Sequence, residues 1–236
     1  MINGLVLFAK TGGSTFALGD IVRPVAYHEI RKAYRNRVLY KGGEGKIGNT
    51  PCASKFEDLL SDYPISVDII HGSLPTEAEY ARIVRRELGE ESGNLYEQIY
   101  ELAKEIQPKF LFFEIQASRR RSSYILDLWG RRLSSLGYDC RWDTLSAYDV
   151  GSPQKRERVY LLVRKREGVD GNVSSKREGY NTSLDSKREP HDFIGYGGTV
   201  ERTPERVAEV KAGLAETCVP QYREAFLRLS GIKGGG

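Results

Sequence analysis

The feature that most limits how this chain can fold is a series of short apolar runs set apart by stretches of helical spacing. Gly4-Leu5-Val6-Leu7-Phe8-Ala9 is apolar throughout and leads to Gly12-Gly13. Pro24-Val25-Ala26-Tyr27-His28-Glu29, Val67-Asp68-Ile69-Ile70-His71-Gly72 and Lys109-Phe110-Leu111-Phe112-Phe113-Glu114 repeat the form, and two of them end in an acid. Strands apolar on both faces belong in a parallel sheet covered by helices on either side. Glu77 to Leu88, Leu95 to Ile106 and Tyr124 to Leu136 carry helical spacing, the last stopping at Gly137. Asp139 to Ala147 and Arg158 to Arg164 read as two further strands joined through Gly151-Ser152-Pro153. The expected fold is a three-layer, Rossmann-like α/β domain with a mainly parallel sheet and an antiparallel hairpin at one end.

Two stretches break this pattern. Lys41 to Ala53 is rich in glycine and reads as a flexible loop. Residues 164 to 190 repeat one charged unit as Lys165-Arg166-Glu167-Gly168, Lys176-Arg177-Glu178-Gly179 and Lys187-Arg188-Glu189-Pro190, with almost nothing apolar to bury. The expected division is an α/β domain over 1–164, a short polar linker over 165–199, and C-terminal helices over 200–236 that pack back on the α/β domain. Thr203-Pro204-Glu205-Arg206 suits a helix start, and a second helix should run from Pro220 through Tyr222 to Leu229. The closing Gly234-Gly235-Gly236 is expected to fray.

Composition excludes several classes. With 39% hydrophobic and 29% charged residues, the chain is neither disordered nor membrane-embedded. Cys52, Cys140 and Cys218 are too scattered for a disulfide framework or a metal knuckle, and His28, His71 and His191 add no ligand cluster, so no metal is expected. The start has no basic, apolar leader pattern, which with the reduced cysteines suggests a cytoplasmic protein. A net charge of +4 permits a nucleic-acid partner without demanding one.

The first strand and its glycine turn, Phe8-Ala9-Lys10-Thr11-Gly12-Gly13, have the form that lets a backbone approach a nucleotide-like cofactor, and Glu29 stands where an acid holds a ribose. That signal is weak alone. The order of segments is more specific. The turn, Glu29, Phe56-Glu57-Asp58, His71-Gly72-Ser73-Leu74-Pro75, Gly93-Asn94-Leu95-Tyr96 and the run to Glu114 together resemble the DNA (cytosine-5) methyltransferase family. The strongest match is Gln154-Lys155-Arg156-Glu157-Arg158, similar to the family's Gln-x-Arg-x-Arg signature, and Cys218-Val219-Pro220-Gln221 resembles its last motif. The likeness spans roughly residues 4 to 164 and 203 to 230.

The resemblance implies an S-adenosylmethionine-dependent methyltransferase fold. It puts that cofactor against Phe8, Lys10, Gly12, Gly13, Glu29 and Asp58, and makes Glu114, Arg156 and Arg158 the retained catalytic positions. In the family a cysteine thiolate adds to cytosine C6 of a flipped base while a glutamate holds the ring. The departures cluster. Thr76 stands where that cysteine is expected, in Pro75-Thr76-Glu77, and Lys10 replaces the first glycine of the turn. Glu114-Ile115-Gln116 keeps only the acid of its motif, and Ala215-Glu216 replace a Gly-Asn pair. Between the Arg158 strand and the last motif only about 40 residues remain for target recognition, far fewer than a separate domain needs.

These departures point to a catalytically degenerate relative that acts by binding a partner methyltransferase, a second copy of itself, or DNA. Arg119, Arg120 and Arg121, with Arg131 and Arg132, form the basic cluster that would meet DNA phosphates. Two alternatives stand beside this reading. One is an active DNA cytosine methyltransferase with a non-standard nucleophile or a separate recognition subunit. The other is a redirected small-ligand site at Lys10, Glu77 and Glu114. The Lys10 ammonium is expected to fill the place of the cofactor's amino acid moiety and to pair with Glu77 or Glu114, while Arg156 holds Glu114. Cys52 follows a proline but sits in the wrong place relative to the strands to substitute as nucleophile, Cys218 reads as a small buried residue, and His28 and His71 as hydrogen-bonded strand-end residues.

Overall fold

A computed structural model describes residues 1–43, 50–61, 66–116, 126, 129–150, 156–166 and 218–231. In chain order the elements are β1 (Ile2–Leu7), α1 (Gly13–Ala17), β2 (Val22–His28), α2 (Lys32–Gly43), β3 (Cys52–Ala53), α3 (Phe56–Ser61), β4 (Ile69–Ser73), α4 (Glu77–Leu88), α5 (Leu95–Ile106) and β5 (Phe110–Gln116). A helix over 129–135, here α6, leads to β6 (Tyr138–Ser146), a 3-10 turn (Ala147–Val150), β7 (Glu157–Lys165) and α7 (Cys218–Ser230). The sheet order is β3-β2-β1-β4-β5-β7-β6. The first five strands pair in parallel, and β7 lies antiparallel between β5 and β6. The three-layer α/β class and its hairpin are as the pattern of apolar runs requires.

Both faces of the sheet are covered. Leu5, Leu7, Ile70, Leu111, Phe113, Leu161 and Val163 point to the side where α3, α4, α5 and α6 pack. Ile69, Phe112, Tyr160 and Leu162 point to the side of α1 and α7. The alternation along β5 and β7 is the period-two rule of a strand buried on both faces. At the centre, β1 and β4 approach so closely that a Cβ on Gly72 would lie 2.0 Å from the Leu7 carbonyl oxygen. Only glycine fits there.

Three expectations change. The stretch Lys41 to Ala53 is not loop throughout: its start completes α2 and its end is β3. A two-residue strand carries no periodic signal. It forms because the sheet edge beside β2 needs partners, with Tyr27 N–H donating to Pro51 O at 2.8 Å and Glu29 N–H to Ala53 O at 2.9 Å. The α/β body also runs past residue 164, since Lys165 N–H bonds Lys109 O and Arg166 N–H bonds Gly137 O, each at 2.9 Å. Finally, α7 begins at Cys218, two residues before Pro220. The rest of the linker, the Thr203 helix, Arg119 to Arg121, residues 124, 125, 127 and 128 of the expected Tyr124 helix, the Gly151-Ser152-Pro153 turn and the C-terminal glycines lie outside the described residues.

The return of α7 completes the fold. Tyr222, Ala225 and Phe226 are buried against Phe112, Leu145 and Tyr160. Phe112 meets Tyr222 and Phe226 edge-on at centroid separations of 4.8 and 5.1 Å. Arg223 donates to both carboxylate oxygens of Asp20 and, at 3.1 Å, to Ala17 O, tying α7 to the end of α1. Substituting Phe226→Ala removes a ring from this closed packing and should cost about 3–5 kcal/mol, read as a lowered urea midpoint with unchanged slope.

Candidate functional site

The parallel strands β1, β2, β4 and β5 end on one edge, and the chain's chemistry-bearing residues follow those ends. Leu7 lies beside both His28 and Gly72, and Ser73 beside Glu114. The edge thus gathers the Phe8–Gly13 turn, Glu29, the Ser73–Thr76 loop and Glu114.

Glu114 is 6% exposed and is held by three donors. Arg156 Nη2 reaches its Oε1 at 3.2 Å and Arg158 Nε reaches the same oxygen at 3.1 Å. Ser73 Oγ donates to Oε2 at 2.8 Å. Arg158 faces Gln116 across the β5–β7 ladder, two residues from Glu114 on the same face, which brings its guanidinium back to the acid. The Glu114–Arg156 pairing expected from the sequence is present. Ser73 is the member that sequence reasoning missed; its register opposite Glu114 was the signal, visible only once β4 and β5 are aligned.

Thr76 is the N-cap of α4. Its Oγ1 accepts from Glu79 N–H at 3.2 Å, and Glu79 Oε2 accepts from Thr76 N–H at 3.1 Å. This is a reciprocal capping box that satisfies two backbone donors at the start of the helix. The Thr-x-x-Glu spacing at Thr76 and Glu79 is its sequence signature. Glu77 Oε2 instead accepts from Leu95 N–H at 3.3 Å, at the head of α5.

Glu29 is 2% exposed. Its Oε2 accepts from Lys10 N–H at 2.8 Å and its Oε1 from Arg31 N–H at 2.9 Å, so one carboxylate braces the glycine turn against the segment after β2. The turn itself is tight: Phe8, Lys10 and Gly12 all have positive φ, at 52°, 48° and 87°. Glycine suits that region at residue 12, whereas Lys10 adopts it at a conformational cost. Burial is the largest influence on Lys10 and lowers the pKa of its ammonium, while Glu114 acts in the opposite direction. The expected ion pair from Lys10 to Glu77 or Glu114 is absent among the described residues; those acids are engaged by Leu95 N–H and by the two arginines.

Other candidates lie apart or play other parts. Asp58 is in the first turn of α3, within electrostatic reach of Lys55. His28 is fully buried beneath the turn, stacked on Phe56 at 4.3 Å and edge-on to Phe8 at 4.9 Å. Contrary to expectation neither of its ring nitrogens has a hydrogen-bond partner of good geometry among the described residues, although the Ser54 backbone acts on the ring. Burial pushes its pKa down to about 3. His71 is bonded as expected, with Nδ1 3.3 Å from Tyr222 Oη, and burial also brings it to about 3. Tyr222 Oη in turn donates to Phe112 O at 3.2 Å, which leaves His71 Nδ1–H as the donor to the phenol oxygen. Cys52 and Cys140 are pushed up to about 12 by burial and are poor thiolate sources.

Comparison with known proteins settles the family. The family model for C-5 cytosine-specific DNA methylases matches residues 3–216. The chain belongs to this family. Among curated members, the type II methyltransferase M.CviJI of Paramecium bursaria Chlorella virus IL3A is 26% identical over 163 residues, 69% of this chain and 43% of that protein. M.HhaI of Haemophilus parahaemolyticus is 25% identical over 158 residues, 66% of this chain and 47% of that protein. This cytosine-specific methylase relative therefore spans less than half the length of the curated members it matches. Among solved structures, a Spodoptera frugiperda DNMT2 mutant superposes with a TM-score of 0.54 at 17% identity, covering 75% of this chain and 54% of that one. A putative DNA modification methyltransferase from an Escherichia coli prophage gives 0.53 at 18%, covering 70% and 47%. Both likenesses bear on the fold.

The cofactor implied by the resemblance is S-adenosylmethionine, and its ribose would have to meet Glu29. That acid is buried, and each of its oxygens accepts one backbone N–H.

Two outcomes follow from the site. Thr76→Ala removes the hydroxyl cap and should cost about 1 kcal/mol of stability, measured by chemical denaturation. Stability should also fall in acid. An unfolded histidine titrates near 6.5 and the folded His28 and His71 near 3, so between those values the unfolded chain binds more protons. The two histidines' contribution is complete above about pH 6.5 and is lost as pH falls toward 3, by up to about 1.4 kcal/mol per unit for each. His28→Phe should roughly halve that dependence between about pH 5 and pH 6.5, read from urea midpoints.

Proposed function

We propose that this chain is a catalytically degenerate relative of the DNA cytosine-5 methyltransferases that acts by binding. The capping box at Thr76 carries the reading. Addition to cytosine C6 needs a nucleophile that ionises near neutral pH and is free to move onto the ring. Here a hydroxyl occupies the place, and it serves the backbone of α4. The sealed Glu29 supports the same conclusion for S-adenosylmethionine, which in this reading is no longer held. The partners are then a complete methyltransferase, a second copy of this chain, or DNA phosphates met by Arg119, Arg120 and Arg121.

A second reading is a working transferase completed by a separate recognition subunit. It is favoured by one observation: Glu114 keeps both Arg156 and Arg158 in contact.

The deciding experiment incubates the protein with S-adenosylmethionine and a duplex carrying 5-fluorocytosine, then looks for a mass increase on the polypeptide. No adduct is expected, with or without an added methyltransferase subunit. A covalent complex on the wild-type chain removes the first reading and leaves the second.

A further inference from the structure

β6 is the outermost strand at one side of the sheet, and among the described residues only β7 pairs with it. Its backbone bonds show which groups face away from β7. At odd positions, Gly137 O accepts from Arg166 N–H and Ala147 N–H donates to Arg156 O, both on the β7 side. Even positions point outward. Tyr138 O accepts from Arg166 Nη2 at 3.1 Å, while Thr144 N–H donates to Asp143 Oδ1 and Ser146 N–H to Asp149 Oδ2, each at 2.7 Å. This alternation is that of any antiparallel strand. The N–H and C=O groups of Cys140 and Trp142 therefore lie on the outer edge, where no described group bonds them. Such a stretch is a template for another strand. The side chains alternate too. Cys140 and Trp142 pack partly against the core on the α6 side. Arg141 and Asp143 fall on the other face with Leu145, and Arg141 is exposed. Arg228 of α7 acts on Asp143 from a distance but is itself bonded to Glu224.

We propose that β6 is a self-association edge, to which β6 of a second copy adds antiparallel with the two-fold axis at Trp142. This deepens the reading of the chain as a binding protein and rests on it. Outward groups must meet outward groups, so the axis falls on a residue rather than between two. Centred on Trp142, each Arg141 stands opposite the second copy's Asp143, which makes two opposite-charge pairs and sets the two indoles side by side. Cys140 then meets the second copy's Thr144, whose N–H is released when Asp143 turns to the arginine. Centred on Arg141 or Asp143, a like charge would face itself. Centred on Cys140, the register would need Tyr138 O and Asp139, both already held by Arg166. A second copy is favoured over an unrelated strand because Arg141-Trp142-Asp143, read in reverse, is its own charge complement.

Multi-angle light scattering over a dilution series tests it. The wild-type mass should rise from one chain to two with concentration. Arg141→Glu and Asp143→Arg should each weaken association at least about tenfold, because two like-charge pairs replace two attractive ones. An equimolar mixture of the two variants should associate within about threefold of wild type, since each supplies the charge the other lacks. Thr144→Pro should also keep the chain single, as it removes an outward N–H and leaves the β7 ladder intact. A wild-type chain of single mass at millimolar concentration overturns the inference. So does a dimer that neither Arg141→Glu nor Thr144→Pro weakens, for another surface then joins the copies. Arg141 is exposed, so its variant serves even if Asp143→Arg fails to fold. The two readings fail separately: a single-chain mass removes the edge and leaves a methyltransferase or DNA as partner, whereas a covalent 5-fluorocytosine adduct removes the binding reading without altering the mass series.

Discussion

The contact between Leu7 and Gly72 governs what this molecule can build. Parallel strands β1 and β4 lie so near that no side chain fits at residue 72. Their carboxyl ends therefore leave the sheet together, and the loops that follow cannot diverge before they have faced each other. The glycine turn, the Ser73–Thr76 loop and the end of β5 share one edge for that reason. A larger residue at position 72 would force apart the strands on which every candidate group depends.

Within that edge the polar groups have been turned inward. Glu29 braces a turn, Thr76 caps a helix, and Glu114 gathers Ser73, Arg156 and Arg158. Each of these bonds steadies the scaffold. A site built for chemistry ordinarily keeps such groups exposed and accepts strain or instability in exchange. Backbone strain sits in the same edge, at the positive φ of Phe8 and Lys10.

The C-terminal helix shows how a remote segment joins the same network. Tyr222 reaches across to His71 and Phe112, and Gln221 Nε2 donates to Leu145 O and Arg156 O at 2.7 and 3.2 Å. The backbone just ahead of Arg158 is thereby tied to α7, so the guanidiniums on Glu114 depend on a helix more than fifty residues later in the chain.

The amino-acid order alone determined the layered α/β class, the limits of α4 and α5, the pairing of Glu114 with Arg156, and the likeness to cytosine methylases. These rest on local periodicity and on short motifs, which survive without knowledge of what lies across the sheet. Even the Thr76 cap is written in its spacing from Glu79. Tertiary structure decided the rest. Whether β3 forms, whether Glu29 is open or sealed, where Ser73 donates, and why Lys10 makes no ion pair among the described residues all depend on backbone groups far apart in sequence meeting at one strand edge. No residue's identity carries that information, because a carboxylate's role is set by which donors the fold brings to it.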